Sequence, residues 1–192
     1  RSRDVAIEGG TLAVSALANT DGTEYGALGG VDNPITFSHH GTMAVSATTV
    51  SSQKMTVGEG GGAVYVSSGR TLTVNGAISQ TGKSRLTKDG GGTMIVGGTV
   101  KLDTLCVNQG VVQGGENNNS AHQYPSVIVL NGGTLKDPDN IYSYSSNNVT
   151  VIVPEGKTAV WTLDARCDYK GKLTGSGTLT VNVTSVRSNM HL

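Results

Sequence analysis

The sequence predicts an all-β chain wound as a single-stranded right-handed parallel β-helix of about six to eight coils. Three observations carry that expectation: a glycine-rich and charge-poor composition, a short strand phrase that restarts along the whole chain, and no window of helical periodicity bounded by caps.

Composition comes first. Glycine occurs 28 times in 192 residues, about twice its usual share, and only 15% of residues are charged, against about 25% in an average domain. Low charge goes with disorder when net charge is high and β-branched residues are scarce. Here the net charge is zero and Val and Thr are abundant. The length suits one domain, residues 1–192, with 1–35 forming irregular N-terminal coils or a cap and 36–192 the repeat coils.

The repeat is read from a recurring phrase: Gly10-Thr11-Leu12-Ala13-Val14, Gly41-Thr42-Met43-Ala44-Val45, Arg70-Thr71-Leu72-Thr73-Val74, Gly92-Thr93-Met94-Ile95-Val96, Gly133-Thr134-Leu135, Lys157-Thr158-Ala159-Val160 and Gly177-Thr178-Leu179-Thr180-Val181, with Gly110-Val111-Val112 a weaker copy. The second positions of these phrases are 31, 29, 22, 18, 23, 24 and 20 residues apart. Alternation of apolar and polar residues after a glycine is a strand leaving a turn. Met55 to Val57, Val64 to Val66, Leu105 to Val107, Val127 to Leu130 and Val149 to Val153 add further short strands between the phrases. Two or three short strands per twenty-odd residues make one coil of a β-helix, and a coil buries its apolar face only by stacking. A β-sandwich also has many short strands, but does not restart one pentapeptide in every coil.

Composition also excludes function classes. Acidic and basic residues cancel, and the densest basic stretch is the spaced Lys83, Arg85 and Lys88, so the electrostatic footprint of nucleic-acid binding is missing. No apolar run approaches the ~20 residues of a membrane helix, and one Trp, one Phe and six Tyr do not furnish the aromatic girdles of a membrane barrel. Cys106 and Cys167 are too few for a disulfide framework, and their spacing of nearly three coils predicts two free thiols.

The stretch Leu86-Thr87-Lys88-Asp89-Gly90-Gly91-Gly92-Thr93-Met94-Ile95-Val96-Gly97-Gly98, running on to Val107-Asn108-Gln109-Gly110-Val111-Val112, resembles the autotransporter-associated β-strand repeat. Residues from Lys157 to Val181 look like segments of such proteins from gut Bacteroidetes. The resemblance implies a β-helical passenger, secreted or on the surface of a Gram-negative bacterium. The repeat carries no catalytic motif, so none is transferred.

Candidate sites are few. Gly82-Lys83-Ser84 has the ending of a phosphate-binding loop, but Ala77 stands where its first glycine belongs and no helix follows. His39 and His40, read as strand neighbours, point to opposite faces and do not converge on a metal. Asp137-Pro138-Asp139-Asn140 has oxygen ligands suited to calcium, but without Asp partners in the next copies it reads better as a turn. Read as one strand, residues 161–170 put Asp164, Arg166, Asp168 and Lys170 on one face and Trp161, Leu163, Ala165, Cys167 and Tyr169 on the other. Such a face reads first as a solvated, charge-paired surface and second as a contact for an acidic glycan. Asp164 and Asp168 then lie ~13 Å apart along the strand, beyond the roughly 5–10 Å that glycosidase chemistry needs. Tyr142 and Tyr144, in the polar segment 141–148, offer rings for stacking on sugars.

The leading functional expectation is therefore a non-catalytic module acting as scaffold, spacer or adhesive, glycan-contacting surface, with no catalytic residue, metal or cofactor. The alternative is a β-helical carbohydrate-active enzyme, a polysaccharide lyase or hydrolase, or its carbohydrate-binding module. Expected partners are a glycan or a host or cell-surface component, and further coils or domains of the same polypeptide. The last rests on the full-strength strand pattern of Thr178 to Val183 so near Leu192, from which the chain is expected to be a fragment of a longer protein.

Overall fold

Alternating small, β-branched and apolar residues between glycine turns are strand formers with one face to bury, and strands are what they make. A computed structural model describes residues 4–17, 27–114, 125–137, 149–164, 167–169, 171–184 and 190–191, in which there is no helix. The first coil holds β1 (Val5–Glu8) and β2 (Thr11–Val14). The second holds β3 (Ile35–Ser38), β4 (Gly41–Val45) and β5 (Thr49–Ser51). The third holds β6 (Met55–Val57), β7 (Gly62–Val66) and β8 (Thr71–Val74). The fourth holds β9 (Ile78–Gln80), β10 (Arg85–Asp89) and β11 (Thr93–Val96), and the fifth β12 (Val100–Lys101), β13 (Thr104–Val107) and β14 (Val111–Gly114). Then come β15 (Val127–Leu130) with β16 (Thr134–Asp137), and β17 (Thr150–Ile152) with β18 (Thr158–Leu163). The last described strands are β19 (Cys167–Asp168), β20 (Lys172–Thr174), β21 (Thr178–Val183) and β22 (Met190–His191).

These strands stack into three walls. The first is β1-β3-β6-β9-β12, the second β2-β4-β7-β10-β13-β15-β17-β20, and the third β5-β8-β11-β14-β16-β18-β21, with β19 and β22 a separate pair. Every described pairing is parallel. That rules out a sandwich and gives a β-solenoid. Five coils carry first-wall strands and the second wall runs to eight rungs, in line with the expected coil count. Along Thr11, Thr42, Ala63, Thr87, Cys106, Val129, Ile152 and Thr174 of the second wall, successive coils advance by 31, 21, 24, 19, 23, 23 and 22 residues.

The register corrects one part of the repeat. Thr11 and Thr42 lie on strands of the second wall, whereas Thr71, Thr93, Thr134 and Thr178 lie on the third. The 29-residue step from Thr42 to Thr71 is thus not a coil: Thr42 pairs with Ala63, and Thr71 with Thr93. Likewise Thr134 pairs with Val160, two residues beyond Thr158. The same Gly-Thr-Leu chemistry serves either wall, because both need a polar residue outside and an apolar one inside. A two-residue shift keeps every side chain on its own face.

Inward residues line up in rows. On the third wall Leu72, Met94, Val112, Leu135 and Trp161 follow one another, and on the first Ile35, Met55, Ile78 and Val100, all buried. Each such side chain contributes about 1.5–3 kcal/mol of burial. Gly62 is set by packing: a Cβ there would lie 2.4 Å from Cβ of Phe37, so the glycine leaves room for that buried ring.

Candidate functional site

The charged stretch near the last coils is built differently from the single strand expected over 161–170. β18 ends at Leu163 on the third wall, and β19 begins at Cys167 in a separate two-stranded pair, so the two halves of the stretch belong to different sheets. The inward assignment holds where it is described: Trp161, Leu163 and Tyr169 are buried. Their rings meet edge to face, with the Trp161 and Tyr169 centroids 5.2 Å apart at 82°. The Tyr169 hydroxyl sits 2.9 Å from the carbonyl of Val149 and 2.8 Å from that of Lys172.

Asp164 is engaged within the fold. Its carboxylate lies 3.2 Å from Lys136 Nζ and accepts a hydrogen bond from the hydroxyl of Thr184. These partners come from the rungs on either side, Lys136 within β16 and Thr184 just after β21, so Asp164 ties three successive coils together. Arg166, Lys170, Tyr142 and Tyr144 lie outside the described residues, as do the side chain of Asp168 and residues 138–140 of the Asp137 cluster. No assembly of these residues into one site is therefore on view.

A residue whose burial sequence reasoning did not anticipate is Lys88. In the second wall it follows Met43 and Val64 and precedes Val107 and Leu130 in one inward row, and it is fully buried. Its ammonium donates to three backbone carbonyls: Asp89 at 2.9 Å, Gly90 at 2.7 Å and Gln109 at 3.2 Å. Burial pulls its pKa down from 10.5 to about 8, against the opposing charge of Asp89. The signal was present in the sequence, since Leu86 and Lys88 share a face by strand alternation. The glycines at 90–92 bring main-chain oxygens close to that position. This lysine closes a corner from inside the core.

Cys106 points outward on the second wall yet is buried, and its thiol is free. Its Sγ donates to Asn108 Oδ1 at 3.2 Å, and the Asn131 amide donates to the same oxygen at 3.0 Å. Burial raises the thiol pKa; Arg85 lowers it and Asp89 raises it further. Since the thiolate is the reactive form, native Cys106 is expected to react with a disulfide reagent at least about tenfold more slowly than in the denatured chain. Equal rates, followed by mass spectrometry at Cys106, would show that this wall opens freely. Cys106 belongs to the second wall and Cys167 to the β19–β22 pair, so the two cysteines stand on different sheets.

His39 and His40 are not strand neighbours. They form the turn between β3 and β4, with φ of 51° and 63°, where the next coil uses Gly60 and Gly61 at 77° and 76°. Left-handed backbone at a side-chain-bearing residue costs about 1–2 kcal/mol, offset here by bonds from their N–H groups to Glu59 and Gly61 carbonyls. Both rings are exposed. Among the described residues no group of three His, Cys, Asp or Glu could hold a metal ion.

Comparison with known proteins adds one partial likeness. The chain is 40% identical over 97 residues to the adhesin BmaC autotransporter of Brucella suis biovar 1 (strain 1330). The match covers 48% of this chain and only 3% of that very much longer protein. No family model matches the chain, and no solved structure matches it. The chain is thus similar, across just under half its length, to a stretch of an autotransporter adhesin, and its parallel solenoid fits a passenger-type repeat.

Proposed function

We propose that this chain is a non-catalytic β-solenoid segment of a secreted or surface protein of a Gram-negative bacterium, serving as an adhesive surface on a rigid scaffold. The partial identity to an autotransporter adhesin carries the reading. The structure supports it in two ways. Parallel walls of up to eight rungs at ~4.8 Å spacing make a stiff, elongated support with long outer faces. Asp164, the described acid of the charged stretch, is held by Lys136 and Thr184 between coils, which suits a clamp better than an acid–base group. Glycans or other cell-surface components are the partners proposed.

The test combines binding and turnover. Immobilised chain is expected to retain epithelial cells or a subset of arrayed glycans above the level of the heat-unfolded chain, and to release no unsaturated or reducing ends from polysaccharides. Retention no better than the unfolded control overturns the adhesive reading. Product release overturns the non-catalytic one.

A further inference from the structure

The corners between the first and second walls change length along the solenoid. Four residues join β6 to β7, namely Gly58 to Gly61, and four join β9 to β10, namely Thr81 to Ser84. Only Leu102 and Asp103 join β12 to β13. The short corner is held by the Gln80 side chain, whose oxygen accepts from the Asp103 N–H at 2.6 Å. On the other side, the corner carries one side chain, the exposed Glu59, and Gly60 and Gly61 beside it take φ values that suit glycine. Between the Gly60-Gly61 edge of that corner and the tight one, Lys83 and Arg85 stand at an open cleft of about 410 Å³ that Asp103 and Thr104 also line.

The charges in this cleft are uncommitted. Lys83, Arg85 and Asp103 are all exposed, and among the described residues none of their side chains makes a hydrogen bond or an ion pair. The third member of the sequence's basic stretch, Lys88, is turned into the core and takes no part. Ser84 donates its hydroxyl to the Val57 carbonyl at 3.0 Å, which fixes the segment between the two cations.

We propose that this cleft binds the carboxylate-bearing sugar residue of an acidic glycan, a uronate. This deepens the adhesive reading and rests on it. A guanidinium takes a carboxylate through two parallel hydrogen bonds, and an ammonium beside it adds a point charge. Asp103 accepts from sugar hydroxyls, and the Thr104 hydroxyl both gives and accepts. Each alternative ligand leaves a mismatch. Sulfate or phosphate satisfies the cations but meets the negative charge of Asp103, and a neutral sugar leaves both cations unpaired. A uronate carries one carboxylate and several adjacent hydroxyls, the combination this cleft displays. The volume lies in the range of roughly 300–1,000 Å³ usual for small-molecule sites. The cleft is open to solvent, so each contact is screened and a single sugar binds weakly. A polymer that engages many copies on a surface binds through avidity.

The test is a titration of the full chain with trigalacturonate, followed by nuclear magnetic resonance, beside its methyl ester and sodium sulfate. Trigalacturonate is expected to bind in the millimolar range, its methyl ester at least about fivefold more weakly. Lys83→Ala and Arg85→Ala, both at exposed positions, should each weaken it by a similar factor, while Lys101→Ala on the neighbouring wall leaves it unchanged. Acid and ester binding alike, sulfate displacing the sugar at equal concentration, or full binding by Lys83→Ala with Arg85→Ala overturns the proposal. Cell or glycan retention that survives both substitutions overturns the cleft while sparing the adhesive reading; loss of all retention by the unaltered chain, with trigalacturonate still bound, does the reverse.

Discussion

Trp161→Ala is expected to destabilise the C-terminal coils by about 3–5 kcal/mol, the range for deleting a large aromatic from a packed core. Trp161 heads the fully buried side chains by volume, and it sits in the third-wall row between Leu135 and Val181. Its edge-to-face contact with Tyr169 positions a hydroxyl that reaches the carbonyls of Val149 and Lys172. Removing the indole leaves a cavity and frees the tyrosine that links the separate β19 strand region to the second wall. Because solenoid coils touch only their neighbours, the loss is local. Urea unfolding followed by circular dichroism should show an early transition for these coils, with the coils from β3 to β14 melting later. Trp161 is the single tryptophan of the chain, so its fluorescence reports this region in the unaltered protein. A variant that unfolds in one step, within about 1 kcal/mol of the original, would show that the site collapses without penalty.

How much of this was legible before the structure depends on which physical cause is asked about. Strand existence and facing were legible, because alternation has a fixed period of two and glycine marks each restart. Met55–Val57 and Val127–Leu130 fall where the pattern put them, and the Val64 and Leu105 runs lie within β7 and β13. Wall assignment was not legible, because a strand phrase does not record how many corners precede it. The first two copies of the phrase therefore joined the later ones in the sequence reading, though they belong to another wall. Corner conformation escaped too. His39 and His40 occupy positions filled by glycine in the following coil, and nothing in their identity announces a positive φ. The stretch from Trp161 to Lys170 alternates throughout, yet its described strands, β18 and β19, belong to different sheets, and alternation does not record a change of sheet. Lys88 escaped for another reason: charge argued for the outside and alternation for the inside. Three carbonyls supplied by the following turns decided it.

Lys88→Met is expected to cost about 2–4 kcal/mol at pH 7, because it orphans carbonyls of Asp89, Gly90 and Gln109 that a methionine cannot satisfy. The relief of no longer burying a charge works in the opposite direction, as it does when buried ion pairs are replaced by apolar groups. Met fits the apolar row of Val64 and Val107, so the outcome turns on the carbonyls rather than on shape. The pH dependence separates the two contributions. The folded pKa is about 8 and the unfolded one 10.5. Below pH 8 both states hold the proton, and the cost of burying the charge is fully present. Between pH 8 and 10.5 the unfolded state binds more protons, so stability rises with pH, by up to about 3 kcal/mol from this group alone. The raised pKa of Cys106 acts in the opposite sense as its thiol ionises, but equally in both proteins, and cancels in the difference. Denaturation at pH 7 and pH 10 should therefore show the unaltered chain gaining on Lys88→Met as the pH rises. Parallel profiles would mean that the three carbonyls hold the ammonium charged throughout, and that its burial carries no titratable cost.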